Sequence, residues 1–270
     1  VTRLSIGAQS FDATSLQRLG RIHGPDEIRA SYDEAVDAGF DSINIDLMFA
    51  LPGQTVAGAA ADVDALLELE PGHVSYYQLT LEPNTVFFAR PPDDLPDEDS
   101  AWEMQSAGHA KLADAGYEQY EISAFAGAGG PCRHNLNYWQ FGDYLAAGAG
   151  AHGKLTQANG EILRYRKIAN PLLYMEKAET GGARTGEQRI EAADLGFEYM
   201  LNTLRLQGGF TESGFEAMTG LPVARIRATL EAAKRDGLLA GDAGGWRPTE
   251  LGFRYLNDLQ ARFLPEQAAV

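Results

Sequence analysis

Residues 132–139 hold a thiol, an imidazole, two side-chain amides and two large aromatic rings within eight positions. The side chains that matter are Cys132, His134, Asn135, Tyr138 and Trp139. A flat, apolar ligand with a metal at its centre requires this mixture: an axial donor, ring faces for stacking, and a polar group that orients one edge. The alternative, which the residues alone leave open, is a buried aromatic cluster around a hydrogen-bonded histidine.

Other donors in the sequence are less informative. A glycine-rich run at 148–153 carries His152, a second candidate for the metal. Cys132 is either an axial thiolate or a small apolar residue. His23, His73 and His109 are predicted to be surface or capping residues, because no second donor stands at metal-ligand spacing from them.

Three polar residues in the first half stand where predicted strands end or turns follow. Gln9 closes the first strand, Arg21 follows a Leu-Gly turn, and Asp46 interrupts an apolar strand. A carboxylate in such a strand is costly without a partner, so Asp46 either binds a ligand or forms a structural contact, for example with Arg21. Together the three residues suit a ligand with ribose hydroxyls and a charged amino-acid end.

The elements that must position these residues alternate in type. The apolar spacing predicts strands at 4–9, 42–49, 74–81 and 120–126, and helices at 26–38, 55–70 and 97–115. This order predicts a parallel sheet with ligands at the carboxyl ends of its strands. From residue 190 onward, helices followed by a hairpin indicate a winged helix. We therefore expect an α/β domain at 1–155, a linker at 156–188 and a winged-helix-like α+β domain at 189–270.

The composition restricts the class of protein. The 270 residues carry a net charge of −16, which argues against binding to nucleic acid. One cysteine excludes an internal disulfide and favours a reducing, cytoplasmic location. No apolar run is long enough to span a membrane. Because Val1 opens inside a predicted strand, we expect that an upstream portion is missing.

Several segments, in this order and spacing, resemble one known family. They are Arg3-Leu4-Ser5-Ile6-Gly7-Ala8-Gln9-Ser10-Phe11, Asn44-Ile45-Asp46-Leu47-Met48, Leu51-Pro52-Gly53-Gln54, Gln119-Tyr120-Glu121-Ile122-Ser123 and His134-Asn135-Leu136-Asn137-Tyr138-Trp139. The sequence resembles the haem chaperone branch of the oxygen-independent coproporphyrinogen III oxidase-like family of radical S-adenosylmethionine (SAM) proteins. This resemblance implies a partial (β/α) barrel followed by a small winged-helix-like domain.

The resemblance also implies roles for individual residues. Gln9, Arg21 and Asp46 match family positions that contact SAM. The haem motif is matched by His134, Asn135, Tyr138 and Trp139, with His134 as the iron ligand. The family binds a [4Fe–4S] cluster through a Cys-x3-Cys-x2-Cys loop, which this sequence lacks, so the cluster is expected only in an intact parent.

Three functions follow as expectations. The first is a cytoplasmic chaperone that binds haem and transfers it to haem proteins, among which respiratory proteins are one option. The second is the oxidative decarboxylation of coproporphyrinogen III. The third, a winged-helix regulator, is disfavoured because acidic and basic residues are roughly balanced in the C-terminal region, whereas a DNA-binding surface is normally basic.

Overall fold

The structure, a computed structural model, describes residues 1–242 and 244–265. Two compact units divide between Cys132 and Arg133. The boundary predicted after residue 155 lies inside the second unit, and the predicted linker at 156–188 contains two strands and a helix. Residue 243 and residues 266–270 of the predicted C-terminal domain lie outside the described residues.

The first unit alternates strands and helices. Its elements are β1 (Arg3–Gln9), α1 (Ala13–Arg18), α2 (Pro25–Asp37), β2 (Ser42–Phe49), α3 (Val56–Leu67), β3 (His73–Gln78), α4 (Val86–Ala89), α5 (Glu98–Asp114), β4 (Glu118–Glu121) and β5 (Ala124–Ala126). They form a mixed α/β fold with one five-stranded sheet in the order β1-β2-β3-β5-β4.

The prediction of an all-parallel sheet is wrong at one edge. Strands β1, β2 and β3 are parallel, but β5 is antiparallel to both β3 and β4. The predicted strand at 120–126 is in fact a hairpin, since the chain turns at Ile122 and Ser123. The Glu121 carboxylate holds this turn by accepting hydrogen bonds from the backbone and hydroxyl of Ser123 at 3.1 and 2.9 Å.

The two faces of β2 have different chemistry because side chains alternate along a strand. Ile45, Leu47 and Phe49 are buried in the apolar core of the first unit. Residues Asn44 and Asp46 occupy the alternate positions and bond to each other and to Ser5 of β1. The strand therefore carries an apolar core face and a polar face.

The second unit begins with a short helix and continues with two small antiparallel sheets. Its elements are α6 (Arg133–Trp139), β6 (His152–Thr156), β7 (Ile162–Lys167), α7 (Pro171–Ala178), β8 (Arg184–Arg189), α8 (Leu195–Thr203), β9 (Phe210–Thr211), α9 (Glu212–Thr219), α10 (Ala224–Arg235), β10 (Leu239–Asp242), β11 (Gly245–Pro248), α11 (Glu250–Arg254) and α12 (Leu256–Ala261). The sheets have the orders β6-β7-β8 and β10-β11-β9.

The C-terminal part confirms the winged-helix-like prediction. Helices α8, α9 and α10 precede the β10–β11 hairpin, and β9 pairs with β11. Tyr199 of α8 packs edge-to-face against Phe210 and Phe215, with ring centroids 5.6 and 5.2 Å apart. This aromatic cluster joins the helices to the small sheet. None of the helices in the described residues has the length and apolar character that crossing a bilayer requires.

Candidate functional site

Helix α6 presents His134 and Tyr138 on one face, because residues four apart lie one turn from each other. Their ring centroids are 6.1 Å apart and the ring planes meet at 50°. The His134 side chain is exposed, whereas Asn135, Tyr138 and Trp139 are half-buried. The histidine is therefore accessible to a ligand from solution, and the alternative of a buried cluster around it does not hold.

Tyr144 extends the aromatic surface beyond the motif. Its ring stacks on Tyr138 at 4.2 Å between centroids and 23° between planes. Burial and a hydrogen bond with Tyr138 raise the pKa of Tyr144. Backbone hydrogen bonds with Lys154, at 2.9 and 3.0 Å, fix the position of Tyr144. The sequence analysis missed Tyr144 because it lies outside residues 132–139, the only window in which aromatic residues were considered.

The buried Lys154 closes the end of α6. Its side chain is 3% exposed, and its ammonium group donates to the Phe141 carbonyl at 2.7 Å. The same nitrogen lies 4.0 Å from the centre of the Phe141 ring and 3.4 Å from the Asp143 carboxylate. Burial lowers the pKa of Lys154, while the Asp143 charge opposes that shift. A cation at the carboxyl end of a helix is favourable and holds the chain as it leaves α6.

Trp139 lies against a different part of the unit. The Arg205 guanidinium is 4.2 Å from its ring centre. The indole nitrogen is buried and has no hydrogen-bond partner among the described residues. Trp139 thus contributes to packing beside α8, and its predicted contact with a porphyrin stays a prediction.

The residues around α6 fit a haem group by their chemistry. A neutral imidazole is a common axial ligand of haem iron, and stacked aromatic rings match a flat macrocycle. His152, the second candidate, is exposed at the start of β6. Cys132 is 8% exposed, in keeping with its interpretation as a small apolar residue.

One member of the second predicted set, Gln9, bonds to the hydroxyl of Tyr77. This hydroxyl donates to Gln9 Oε1 at 3.2 Å. Its pKa is raised first by burial and then by the Asp46 charge, and it is lowered by the charge of Arg21. The charges of Asp46 and Arg21 therefore both act on the hydroxyl that bonds to Gln9, and the grouping of the three residues at one ligand site stays a prediction. Tyr77 itself was missed, because nothing in the sequence relates it to Gln9.

Backbone geometry at the end of β1 places the Gln9 amide. Gln9 has a φ of 70° and follows a bulge in the pairing of β1 with β2. A Cβ atom at Gly7 would lie 2.8 Å from Gln9 Nε2, so a larger residue at this position would displace the amide. Because Oε1 already accepts from Tyr77, Nε2 is the atom left to donate to a ligand.

A chain of hydrogen bonds leads to Asp46 across the polar face of the sheet. Asn44 Nδ2 donates to Asp46 Oδ1 at 2.7 Å, and the Ser5 hydroxyl donates to Asp46 Oδ2 at 3.1 Å. His73 Nδ1 lies 2.6 Å from Asn44 Oδ1, and His73 Nε2 lies 2.8 Å from the Tyr120 hydroxyl. Asp46 is thus bonded to Asn44 and Ser5, whereas the sequence analysis suggested Arg21 as its structural partner.

The prediction that His73 and His109 are surface or capping residues is wrong for His73, which is buried, whereas His109 is half-buried inside α5. His73 is 2% exposed, and His109 packs between the rings of Tyr76 and Phe125. Burial lowers the pKa of each imidazole to about 4. Both residues belong to segments whose burial depends on the sheet and on α5, which the local sequence pattern does not reveal.

The residues of this chain can also be compared with the ligands that an iron–sulfur cluster requires. Clusters of this kind are held by several cysteine thiolates, and this sequence has one cysteine. Among residues 1–242 and 244–265, no group of three or more histidine, cysteine or acidic side chains could hold a metal ion. The residues present here do not fit a [4Fe–4S] cluster.

The fold is that of a radical SAM protein of the HemN type. The structure is similar to that of coproporphyrinogen III oxidase (HemN) from Escherichia coli, with a TM-score of 0.77 and 22% identity over 97% of this chain and 64% of that chain. Residues 190–255 match the HemN C-terminal domain.

Within that class, the chain belongs to the HemW family. It is 44% identical to the Heme chaperone HemW of Haemophilus influenzae over 99% of this chain and 68% of that protein. It is 46% identical to the Heme chaperone HemW of Escherichia coli over 98% of this chain and 69% of that protein. A mouse relative, named radical S-adenosyl methionine domain-containing protein 1, mitochondrial, is 35% identical over 98% of this chain and 63% of its own length.

Proposed function

We propose that this chain binds haem with His134 as the iron ligand, and that it serves as a haem chaperone. The observation that carries the proposal is the exposed imidazole of His134 one helical turn before the stacked pair of Tyr138 and Tyr144. Asn135 and Trp139 complete the proposed motif. Haem supplies the iron to which the imidazole nitrogen binds, and the aromatic rings orient the flat macrocycle.

The acceptors of the haem are proposed to be haem proteins, with respiratory proteins as one group. The names of the curated relatives support the chaperone assignment. A cytoplasmic location is proposed on the basis of the single cysteine, which is typical of a reducing compartment. The oxidase alternative has weaker support, because the likeness to HemN extends to the fold while the more similar relatives are chaperones.

SAM is proposed as a second ligand, held by Gln9, Arg21 and Asp46. A carboxylate accepts hydrogen bonds from ribose hydroxyls, a guanidinium binds the carboxylate of an amino acid, and Gln9 Nε2 donates to an oxygen. The hydrogen bond between Gln9 and Tyr77, together with the influence of the Asp46 and Arg21 charges on the pKa of the same hydroxyl, supports this proposal. The cluster with which such proteins work is proposed only for a chain that carries the necessary cysteines.

A haem titration followed in the Soret region tests the first proposal. His134→Ala should weaken haem binding at least tenfold and change the Soret maximum, because an axial ligand is lost. The matched control is His152→Ala, which removes another exposed imidazole of the same unit and should leave the spectrum unchanged. An unchanged spectrum and affinity in His134→Ala would contradict the proposal. A loss of haem affinity in His152→Ala alone would identify His152 as the iron ligand instead.

A further inference from the structure

The hydrogen bonds that lead to Asp46 have a determined direction at every step. Asn44 Nδ2 donates to both Ser5 and Asp46, so Asn44 Oδ1 must be the acceptor in its contact with His73. His73 Nδ1 therefore carries the proton, and His73 Nε2 accepts from the Tyr120 hydroxyl. At each hydrogen bond from Asp46 to Tyr120, the donor is therefore assigned by the bond before it in the chain.

The burial of the participants makes this order rigid. His73 and Asn44 are each 2% exposed, and an unpaired polar atom at such positions is costly. A flipped Asn44 amide would place its oxygen against the Asp46 carboxylate and its nitrogen against the proton on His73 Nδ1. The Asp46 carboxylate, which can only accept, determines which end of the amide faces it, and the bond with His73 Nδ1 holds the amide in that orientation.

Asp46 differs from Asn44 and His73 in being partly exposed, and Ser5 beside it is exposed. Each of its oxygens accepts one bond from the sheet, at 2.7 Å from Asn44 and 3.1 Å from Ser5. A carboxylate oxygen accepts about two hydrogen bonds, so one acceptor position per oxygen remains for a ligand. The carboxylate is held in one orientation before any ligand arrives.

We propose that His73 and Asn44 are positioning residues, which act through Asp46 to hold its carboxylate for the ribose hydroxyls of the nucleoside ligand. The inference rests on the proposed binding of SAM. Its physical content is preorganisation: a carboxylate already oriented by fixed donors loses less conformational freedom on binding.

A pair of isosteric variants separates this role from packing. His73→Asn places an amide nitrogen where His73 Nδ1 stands, whereas His73→Leu has the same shape without a donor. SAM affinity, measured by equilibrium dialysis, should fall roughly three- to tenfold in His73→Leu, and His73→Asn should restore most of it. His109→Leu is the matched control, since it removes a half-buried histidine of the same unit that packs between Tyr76 and Phe125 and not against Asn44, and it should leave the affinity unchanged.

A double-mutant cycle then tests whether the effect passes through Asp46. In the background Asp46→Asn, the difference between His73→Asn and His73→Leu should shrink to within about twofold, because residues that act through a shared partner are not additive. An equal difference in both backgrounds would show a general packing effect and would overturn the inference.

Two further outcomes are decisive. Nitrogen NMR of the histidine ring should show the proton of His73 on Nδ1, and a proton on Nε2 would contradict the inference even if His73→Leu fails to fold. If the unaltered protein binds SAM and His73→Leu binds it with the same affinity, this inference is overturned while the proposed SAM site stands. No SAM binding by the unaltered protein would overturn the proposed cofactor and this inference with it.

Discussion

His134 and His152 show how far a single residue type can be interpreted at the residue scale. Both imidazoles are exposed, and both lie in the second unit. Their surroundings differ. His134 lies one helical turn from Tyr138 on α6, whereas His152 is the first residue of β6 and pairs with Arg166 of β7. The aromatic context, and not exposure, is what distinguishes the proposed iron ligand.

Tyr144 provides a prediction at the same scale. Because its ring stacks on Tyr138, Tyr144→Leu should lower haem affinity about two- to tenfold, the range expected for an aromatic pair. Tyr144→Phe keeps the ring and should bind haem nearly as well as the unaltered protein. Equal losses in both variants would assign the effect to the hydroxyl and would contradict a stacking role.

His73 contributes to the pH dependence of stability. Burial, assisted by the charge of Arg3, lowers the pKa of His73 to about 4 in the folded chain. The unfolded chain, in which histidine titrates near 6.5, therefore binds the proton more readily between the two values. Stability is fully present above pH 6.5 and is lost as the pH falls toward 4, by an amount on the order of 3 kcal/mol for this residue.

Urea unfolding at pH 7 and at pH 5 measures that loss. Between pH 7 and pH 5, the free energy of unfolding should decrease less in His73→Asn than in the unaltered protein, because one titrating group has been removed. His109, whose pKa is also lowered to about 4, should retain its own contribution. Parallel pH profiles for the two proteins would contradict the assignment to His73.

At the scale of elements, α6 depends on the segment that follows it. Gly142 N donates to Asn137 O at 2.7 Å, and Asn137 Nδ2 donates to Asp143 O at 2.9 Å. Lys154 then bonds to the Phe141 carbonyl from β6. A helix of seven residues is marginal by itself, so these contacts are what hold it.

Removing the Lys154 ammonium group should therefore loosen α6. Lys154→Met keeps the aliphatic stem but leaves the Phe141 carbonyl without its donor, which should cost about 1–3 kcal/mol of unfolding free energy. Haem affinity should fall with it, because the His134 helix is less well placed. The exposed Lys177→Met is a matched control and should change neither quantity. Unchanged stability in Lys154→Met would rule out this supporting role.

The sequence predicted some elements well and others not at all, for physical reasons. Strands β1 to β3 carry apolar runs buried against helices, and such runs are easy to detect. Strand β8, Arg184–Arg189, is exposed at every position and polar throughout, so its pairing with β7 left no hydrophobic pattern. The hairpin of β4 and β5 was missed because its turn uses Ile122 and Ser123, without the usual glycine or asparagine.

Some features of the candidate site could likewise be predicted from the sequence, and others could not. Gln9, Arg21 and Asp46 could be expected near one another because parallel strands end at a common edge. The bond between Gln9 and Tyr77, and the chain from Tyr120 through His73 to Asp46, depend on strand register over long separations. No local pattern encodes that register, so it appears only in the folded chain.

At the scale of the whole molecule, the two units carry separate parts of the account. The proposed SAM residues lie in the first unit and the haem motif begins the second. The net charge of −16 does not favour nucleic acid as a partner of the winged-helix-like part. The chain spans 68% and 69% of the length of the HemW relatives from Haemophilus influenzae and Escherichia coli, so transfer of haem and any radical chemistry are proposals about the whole protein.

The central claim is that the imidazole of His134 binds haem iron. Pulsed electron paramagnetic resonance of the ferric haem complex, prepared with ¹⁵N-labelled histidine, tests it most directly. We expect a histidine ¹⁵N hyperfine coupling in the unaltered protein and in His152→Ala, and its loss in His134→Ala. Persistence of that coupling in His134→Ala would contradict the account.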